Sequence, residues 1–373
     1  MPYLNTDTIS IILSHLPVKT LLQFKCVCKS WYSLIKSHYF ITMHLNNNST
    51  THHDKYLVSK FPYNNNKPAV KSLSMTFLSH HTMRVASNLT QTLENASFLG
   101  VCDGLLCVAI NECEATTFKV INPATKQSKV LIKEPPNKAS LGSKSYPSYG
   151  FAFDSKVNDY KLIRVTLEKT EILTLRANTW RRVPMTSHGT SVMKRVRFLH
   201  DHWSRAVTKK ALYWTGFRLG FSYKMFIIMF DLTSEEFQDI DLPKSDNNNN
   251  NDDRIYRGVS RCSVFRDCLS VTINHGRFSN DNKVVVWVMR EDGVEKCWTK
   301  QYCFSMELSG LYILTVDQYV REGIKDDDYW PFQSWDGELD IFSTKHSLFE
   351  NFMLHPILKK HNFSYRESLV PLS

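Results

Sequence analysis

The chain has 373 residues, 42% hydrophobic and 22% charged, which suits a soluble globular protein of roughly two to three domains. Its longest unbroken apolar runs, Met225–Phe230 and Val284–Met289 among them, hold six residues each, well short of the roughly 18 a bilayer-crossing helix needs, so no membrane span is expected. Met1–Ile11 is polar and contains Asp7, unlike a secretory leader, so the nine cysteines read as reduced, mostly buried thiols of a cytoplasmic or nuclear protein with a formal charge of +10.

In chain order, the first 44 residues contain three short apolar helices. Asn5, Thr6 or Asp7 can N-cap the first, and Asp7 suits the positive end of its dipole. Ile9, Ile12, Leu13 and Leu16 follow at helical spacing as one apolar stripe. Pro17 ends that helix and opens the next, because it fixes φ and lacks an N–H that a first-turn residue leaves unused. Leu21, Leu22, Phe24 and Val27 make a second stripe, and Trp31, Leu34 and Ile35 a third. Below about 40 residues a domain usually needs a staple or a partner. Two readings follow: a self-contained cap on the larger body, or an arm that completes its core on another protein.

The segment Leu4 to Ile35 resembles the F-box. The run Leu16-Pro-Val-Lys-Thr-Leu-Leu-Gln-Phe-Lys-Cys-Val-Cys-Lys-Ser-Trp31 is similar to the form common in plant F-box proteins. Leu16 and Pro17 match the second Leu-Pro of the family pattern and Leu4 its first leucine, while Asn5 stands where the family has proline. The resemblance implies docking on the Skp-type adaptor of a cullin–RING ubiquitin ligase. It also implies that Leu4, Leu16, Pro17, Val27, Cys28, Trp31 and Leu34 lie at or just beneath that interface.

Asn46 to His53 reads as a polar hinge, after which short strand-type runs take over. Taking Asn122, Arg176, Asp231, Met289 and Phe342 as equivalent turn points, the spacings are 54, 55, 58 and 53. The preceding strands repeat as well, at Gly104–Val108, Tyr160–Val165, Ala211–Trp214 and Cys268–Thr272, and Trp180, Phe237 and Trp298 follow as outer-strand aromatics. A period near 55 with strand, tight turn and aromatic strand reads as propeller blades, nearer the kelch repeat of about 50 than the WD repeat of about 40–45. A β-sandwich also gives evenly spaced strands but rarely repeats turn and aromatic together. Lys55–Ser59, Val70–Leu78 and Phe349–Leu354 are candidates for a closing blade. Asn122-Pro-Ala-Thr125, Tyr149-Gly-Phe-Ala-Phe-Asp154 and Asp159-Tyr-Lys-Leu162 resemble the F-box-associated domain, which implies a kelch-like module for substrate recognition.

Nucleotide-binding glycine loops, Gly-x-Ser-x-Gly and His-Glu-x-x-His are absent from the sequence. Cys26-x-Cys28, Cys297 and Cys303 read as core, and His200-Asp201-His202 as solvated loop histidines. No catalytic residue, metal or cofactor is expected. Charge is uneven: between Glu171 and Asp231 lie eleven cations and one acid, Asp201, whereas Asp231–Asp253 holds eight acids and only Lys244. Either these are ordinary polar faces, or Lys194, Arg195, Arg197, Arg205, Lys209 and Lys210 display a patch for a target protein with an acidic surface. No recognition helix or stacking motif supports nucleic acid.

The expected architecture is an α+β multidomain chain: a three-helix F-box at 1–44, a polar linker at 45–54 and an all-β, propeller-like, kelch-type domain at 55–373. The expected function is that of a non-catalytic, SCF-type substrate receptor binding a Skp-type adaptor, through it a cullin, and a target protein. The plant S-locus receptors of pollen share this arrangement, and the resemblance does not single them out from their relatives. The alternative is a propeller scaffold or nucleic-acid-associated protein whose helices only form a cap.

Overall fold

The computed structural model describes residues 5–47, 55–60, 72–79, 85–87, 93–94, 96–111, 115–134, 147–166, 169–184, 196–198, 205–218, 225–243, 259–265, 267–274, 283–292, 295–305, 319–320, 328–333, 339–343, 348–352 and 360–372. The chain divides into two compact units, one of residues 1–137, 321–326 and 354–373, the other of 138–320 and 327–353.

The first unit opens with α1 (Thr6–Ser14), α2 (Val18–Phe24) and α3 (Lys29–Lys36), the three expected helices, and adds α4 (His38–Asn47). Phe40, Ile41 and His44 of α4, at i, i+1 and i+4, are all buried. His44 Nε2 lies 3.0 Å from the carbonyl of Leu16, and its ring stacks on Phe40. This fourth helix supplies apolar volume that three short helices lack. The asparagine run beginning at Asn46 conceals its end, because α4 continues through Asn47.

The β-strands then begin with β1 (Lys55–Lys60), β2 (Ser72–Ser79), β3 (Val85–Ser87) and β4 (Leu93–Glu94). A second sheet follows, with β5 (Ala96–Cys102), β6 (Leu105–Asn111), β7 (Thr116–Asn122) and β8 (Gln127–Glu134) in chain order. Asp103 and Gly104 both adopt positive φ, 49° and 73°, in the two-residue turn joining β5 to β6, a combination matched to a tight hairpin.

The second unit holds four sheets. The first is β9 (Ser148–Asp154), β10 (Asp159–Val165), β11 (Thr170–Thr174) and β12 (Trp180–Arg182). Next come β13 (Val196–Phe198), β14 (Arg205–Val207), β15 (Ala211–Arg218), β16 (Met225–Asp231) and β17 (Phe237–Ile240). β18 (Val259–Phe265), β19 (Cys268–Asn274), β20 (Lys283–Asp292) and β21 (Glu295–Ser305) form the third. β22 (Tyr319–Val320), β23 (Asp328–Gln333), β24 (Leu339–Ser343) and β25 (Leu348–Phe352) form the fourth. The last strand, β26 (Lys360–Tyr365), belongs to the first unit and pairs antiparallel with β1, Lys55 opposite Tyr365. The all-β part is therefore propeller-like, with antiparallel sheets repeating along the chain. The strand that completes the first sheet is β26 rather than the expected Phe349–Leu354, most of which falls in β25, paired to β24.

The expected second strands are β6, β10, β15 and β19, as the repeat requires. The turns need adjustment. Asn122 Oδ1 accepts from the N–H groups of Ala124 and Thr125, and Asp231 Oδ1 accepts from Thr233 and Ser234. In each case the residue four positions on is left-handed, Lys126 at φ 57° and Glu235 at φ 60°. The same pattern in β11 starts at Thr174, whose Oγ1 accepts from Ala177 N–H and whose fourth successor, Asn178, has φ 52°. Thr174, not Arg176, is thus the equivalent point. Met289 and Phe342 are not turn residues: they lie within β20 and β24, opposite Trp298 and Phe349. Trp180 and Phe237 both open fourth strands opposite the penultimate residue of the third, Leu173 and Phe230. Trp298 is also on a fourth strand but three residues deeper, because β20 and β21 form a longer hairpin.

Why Met225–Phe230 is uninterruptedly apolar is now clear. Phe226, Ile228 and Phe230 of β16 pack with Ile163 and Ile172 of the preceding sheet, while Met225, Ile227 and Met229 pack with Val271 and Ile273 of the following one. A strand buried on both faces needs apolar residues at both parities.

Candidate functional site

Two surfaces carry the residues of interest: the helical tip and the basic stretch of the second unit. At the tip, Asn5 N-caps α1 through a 3.4 Å bond from Asp7 N–H, and Pro17, with φ −58° and ψ 147°, separates α1 from α2. The buried side of α1 is Ser10, Leu13 and Ser14, not the full stripe of Ile9, Ile12, Leu13 and Leu16. The serines can be buried because each hydroxyl donates to a carbonyl of its own helix, Ser10 to Thr6 and Ser14 to Ile11, and Asn47 of α4 donates to Ser14 Oγ at 2.7 Å.

That arrangement turns Ile11 and Ile12 outward, 55% and 52% exposed. Leu16 and Pro17 are half-buried at the α1–α2 corner. Val27, 61% exposed, and exposed Cys28 lie in the α2–α3 turn. Trp31 and Leu34 are half-buried on α3, and the Trp31 ring sits 5.3 Å from that of Phe24. Leu4 lies outside the described residues. Ile11, Tyr32 and Tyr39 are exposed apolar or aromatic residues that periodicity assigns no special role, and Ile12, which periodicity places on the apolar stripe, faces water with them. For Ile11 and Ile12 the signal in the sequence is the pair Ser10 and Ser14, whose side α1 turns inward.

The cysteines depart from expectation. Cys26, Cys28, Cys297 and Cys303 are all exposed, and only Cys107 and Cys262 are fully buried among the described residues. Cys26 sits in the α2–α3 turn, whereas Cys297 and Cys303 lie on β21, the edge strand of its sheet. Cys28 is the N-cap of α3; its Sγ lies 3.1 Å from the Ser30 hydroxyl, and that contact, with the nearby Trp31 backbone, holds its thiol below the ordinary range.

In the basic stretch, Lys194 and Arg195 lie outside the described residues, as do His200, Asp201 and His202. Arg197 is on β13 opposite Phe217, Arg205 on β14 opposite Trp214, and Lys209 and Lys210 precede Ala211. Along β15 the Arg197 and Lys209 positions are thus about 20 Å apart, six residues at roughly 3.4 Å each. Lys209 Nζ reaches Asp267 Oδ2 at 3.0 Å. Arg176 donates to the carbonyl of Asn158 at 2.9 Å, and Arg181 grips Glu235 with both guanidinium amino groups, one of these bonds 2.8 Å long. Glu235 also meets Lys161, which is buried with its Nζ 2.5 Å from Asp154 and 2.7 Å from the Leu232 carbonyl. Part of the acidic segment therefore neutralises part of the basic one inside this unit.

Residues 2–42 match the F-box domain, and residues 47–325 match the F-box associated beta propeller domain. The chain belongs to this family of F-box proteins. Among its relatives in Arabidopsis thaliana, the F-box/kelch-repeat protein At3g23880 is 25% identical over 333 residues, covering 84% of this chain and 81% of that protein. F-box protein CPR1 is 24% identical, covering 79% and 71%. The F-box/LRR-repeat/kelch-repeat protein At2g27520 is 27% identical, covering 86% and 81%. Among solved structures, the β-propeller domain of the Trilobed protease from Pyrococcus furiosus aligns over 82% of this chain and 94% of that one at 12% identity, with a TM-score of 0.40.

For an F-box protein, the tip geometry separates two tasks. Leu13, Val18, Leu21, Ile35, Phe40 and Ile41 make its internal core, while Ile11, Ile12 and Val27 remain in water. Apolar side chains left exposed on a helical set that already has a core are available to a partner.

Proposed function

We propose that this F-box protein is the substrate-recognition subunit of an SCF-type cullin–RING ubiquitin ligase. In this reading the tip docks on a Skp-type adaptor and, through it, a cullin, while the propeller-like domain holds the target protein. Its role is positional, with ubiquitin transfer carried out by partner subunits. The observation that carries the reading is the exposed apolar set around the α1–α2 corner and the α2–α3 turn. A few apolar and aromatic anchors dominate most protein interfaces, and Trp31, Leu16, Pro17 and Val27 have that character.

The test is co-purification and titration with a purified Skp-type adaptor. Trp31→Ala is expected to cost at least about 2 kcal/mol of binding, roughly thirtyfold in affinity. Full-strength binding by a folded Trp31→Ala/Leu16→Ala variant would overturn the assignment and favour a scaffold with a helical cap. Target recognition is proposed for the basic stretch. Reversing Lys194, Arg195 and Arg197 to glutamate is expected to change the set of captured targets without altering adaptor binding.

A further inference from the structure

Charge on the helical tip is predominantly positive. Asp7 is the sole carboxylate in the first 53 residues, against Lys19, Lys25, Lys29 and Lys36. Lys29, Tyr32 and Lys36 share one side of α3 by their i, i+3, i+7 spacing, about 100° or more around the helix from Trp31 and Leu34. Lys36 Nζ donates to the Tyr32 hydroxyl at 3.2 Å and lies 5.0 Å from its ring centroid, so the ammonium and the 46%-exposed ring form one unit. Lys25, just past α2, feels the same field: burial, and after it the positive charge of Lys36, holds its ammonium below the ordinary lysine value. The tip contains no second carboxylate to relieve that repulsion.

We propose that Lys25, Lys29, Lys36 and Tyr32 form a basic rim that steers the tip onto a carboxylate-rich surface of the adaptor. The inference rests on the reading that the tip binds a Skp-type adaptor, and it specifies the charge the adaptor carries beside the apolar anchors. Division of labour follows from position. Trp31 and Leu16 govern how long the complex lasts, whereas the lysines govern how fast it forms, because rim charges act mainly on association rate and salt dependence. A carboxylate docked between Lys25 and Lys36 removes their mutual repulsion.

Association and dissociation of the full chain with purified Skp-type adaptor, followed from about 50 to about 500 mM salt, test this, since the screening length shrinks severalfold over that range. Lys25→Glu/Lys36→Glu is expected to slow association about tenfold at low salt, with dissociation little changed and the difference gone at high salt. Lys25→Gln/Lys36→Gln, which removes charge without reversing it, is expected to fall between that variant and wild type. Wild-type association rates in both variants, folded by circular dichroism while the wild type binds the adaptor, would overturn the steering rim and leave the functional reading intact. No binding by the wild type would instead overturn the functional reading, and the rim with it.

Discussion

Lys161 shows how a single residue can hold two sheets together. It is 2% exposed, and its ammonium satisfies Asp154 of its own sheet together with Glu235 and the Leu232 carbonyl at the end of β16. Removing one partner of a buried ion pair leaves a stranded charge, so Lys161→Ala is expected to cost about 3–5 kcal/mol in chemical denaturation. Titration of its partner has a definite sign. Burial pushes the Glu235 carboxyl up, but hydrogen bonds from Arg181 and Lys161 outweigh burial and hold it below its ordinary value. Glu171, bonded by Lys169 and Arg164 against a similar burial cost, is also held low. A carboxylate whose folded value is depressed contributes stability above its unfolded pKa, about 4.3 for Glu, and loses it as pH falls through the folded value. Unfolding free energy is therefore expected to drop below about pH 4.3, and Glu235→Gln to remove part of that drop. A slope unchanged in Glu235→Gln would show that other carboxylates carry the acid sensitivity.

At the scale of elements, one turn design recurs with different consequences. Asn122 and Asp231 both close a third-to-fourth-strand turn by accepting two backbone N–H groups. Asn122 is also fully buried, and its Nδ2 donates to the carbonyls of Ser368 and Val370 at 3.1 and 2.8 Å. Losing it leaves two buried carbonyls without those donors, so Asn122→Ala is expected to cost about 2–4 kcal/mol, against about 1 kcal/mol for Asp231→Ala. Equal thermal shifts for the two variants would refute this contrast. The sequence shows Asn122-Pro-Ala-Thr125 as a turn because its acceptor and its proline act locally. It does not show the second role, since the bonded carbonyls lie 246 and 248 residues further on. Arg176 and Met289 are misplaced for a local reason instead. Even spacing locates a repeat, but the turn itself is marked by a side-chain acceptor and a left-handed residue four positions later.

Across the molecule, the segment after β26 is an integral part of the first unit. Ser368, Leu369, Val370 and Leu372 are buried, as is Tyr365 at the end of β26, and a Cβ added at Gly104 would lie 2.4 Å from the Arg366 carbonyl. Tyr365 joins the core of Ala96, Phe98, Leu106, Val108 and Ile121. Deleting residues 366–372 is expected to lower stability by at least about 3 kcal/mol, because two or three apolar side chains lose their burial. Thermal unfolding of the truncated chain checks this, and an unchanged midpoint would show that the segment is dispensable.

What the sequence determined by itself is what nearest neighbours decide: helix starts at Asn5 and Pro17, second strands at a period near 55, and the F-box motif of the tip. Each follows from dihedral preference, periodicity or a short run of residue types, all of which act over a few positions. Only the tertiary structure decided that β26 rather than Phe349–Leu354 completes the first sheet and that α4 fills the tip. It also decided that Ser10 and Ser14 turn inward while Ile11 and Ile12 face water. Those outcomes depend on which distant surface a residue meets, and α1 has several apolar positions that could have been chosen. The choice falls to the face that packs against α4, where a serine already bonded to its own helix can be buried without an unsatisfied hydroxyl.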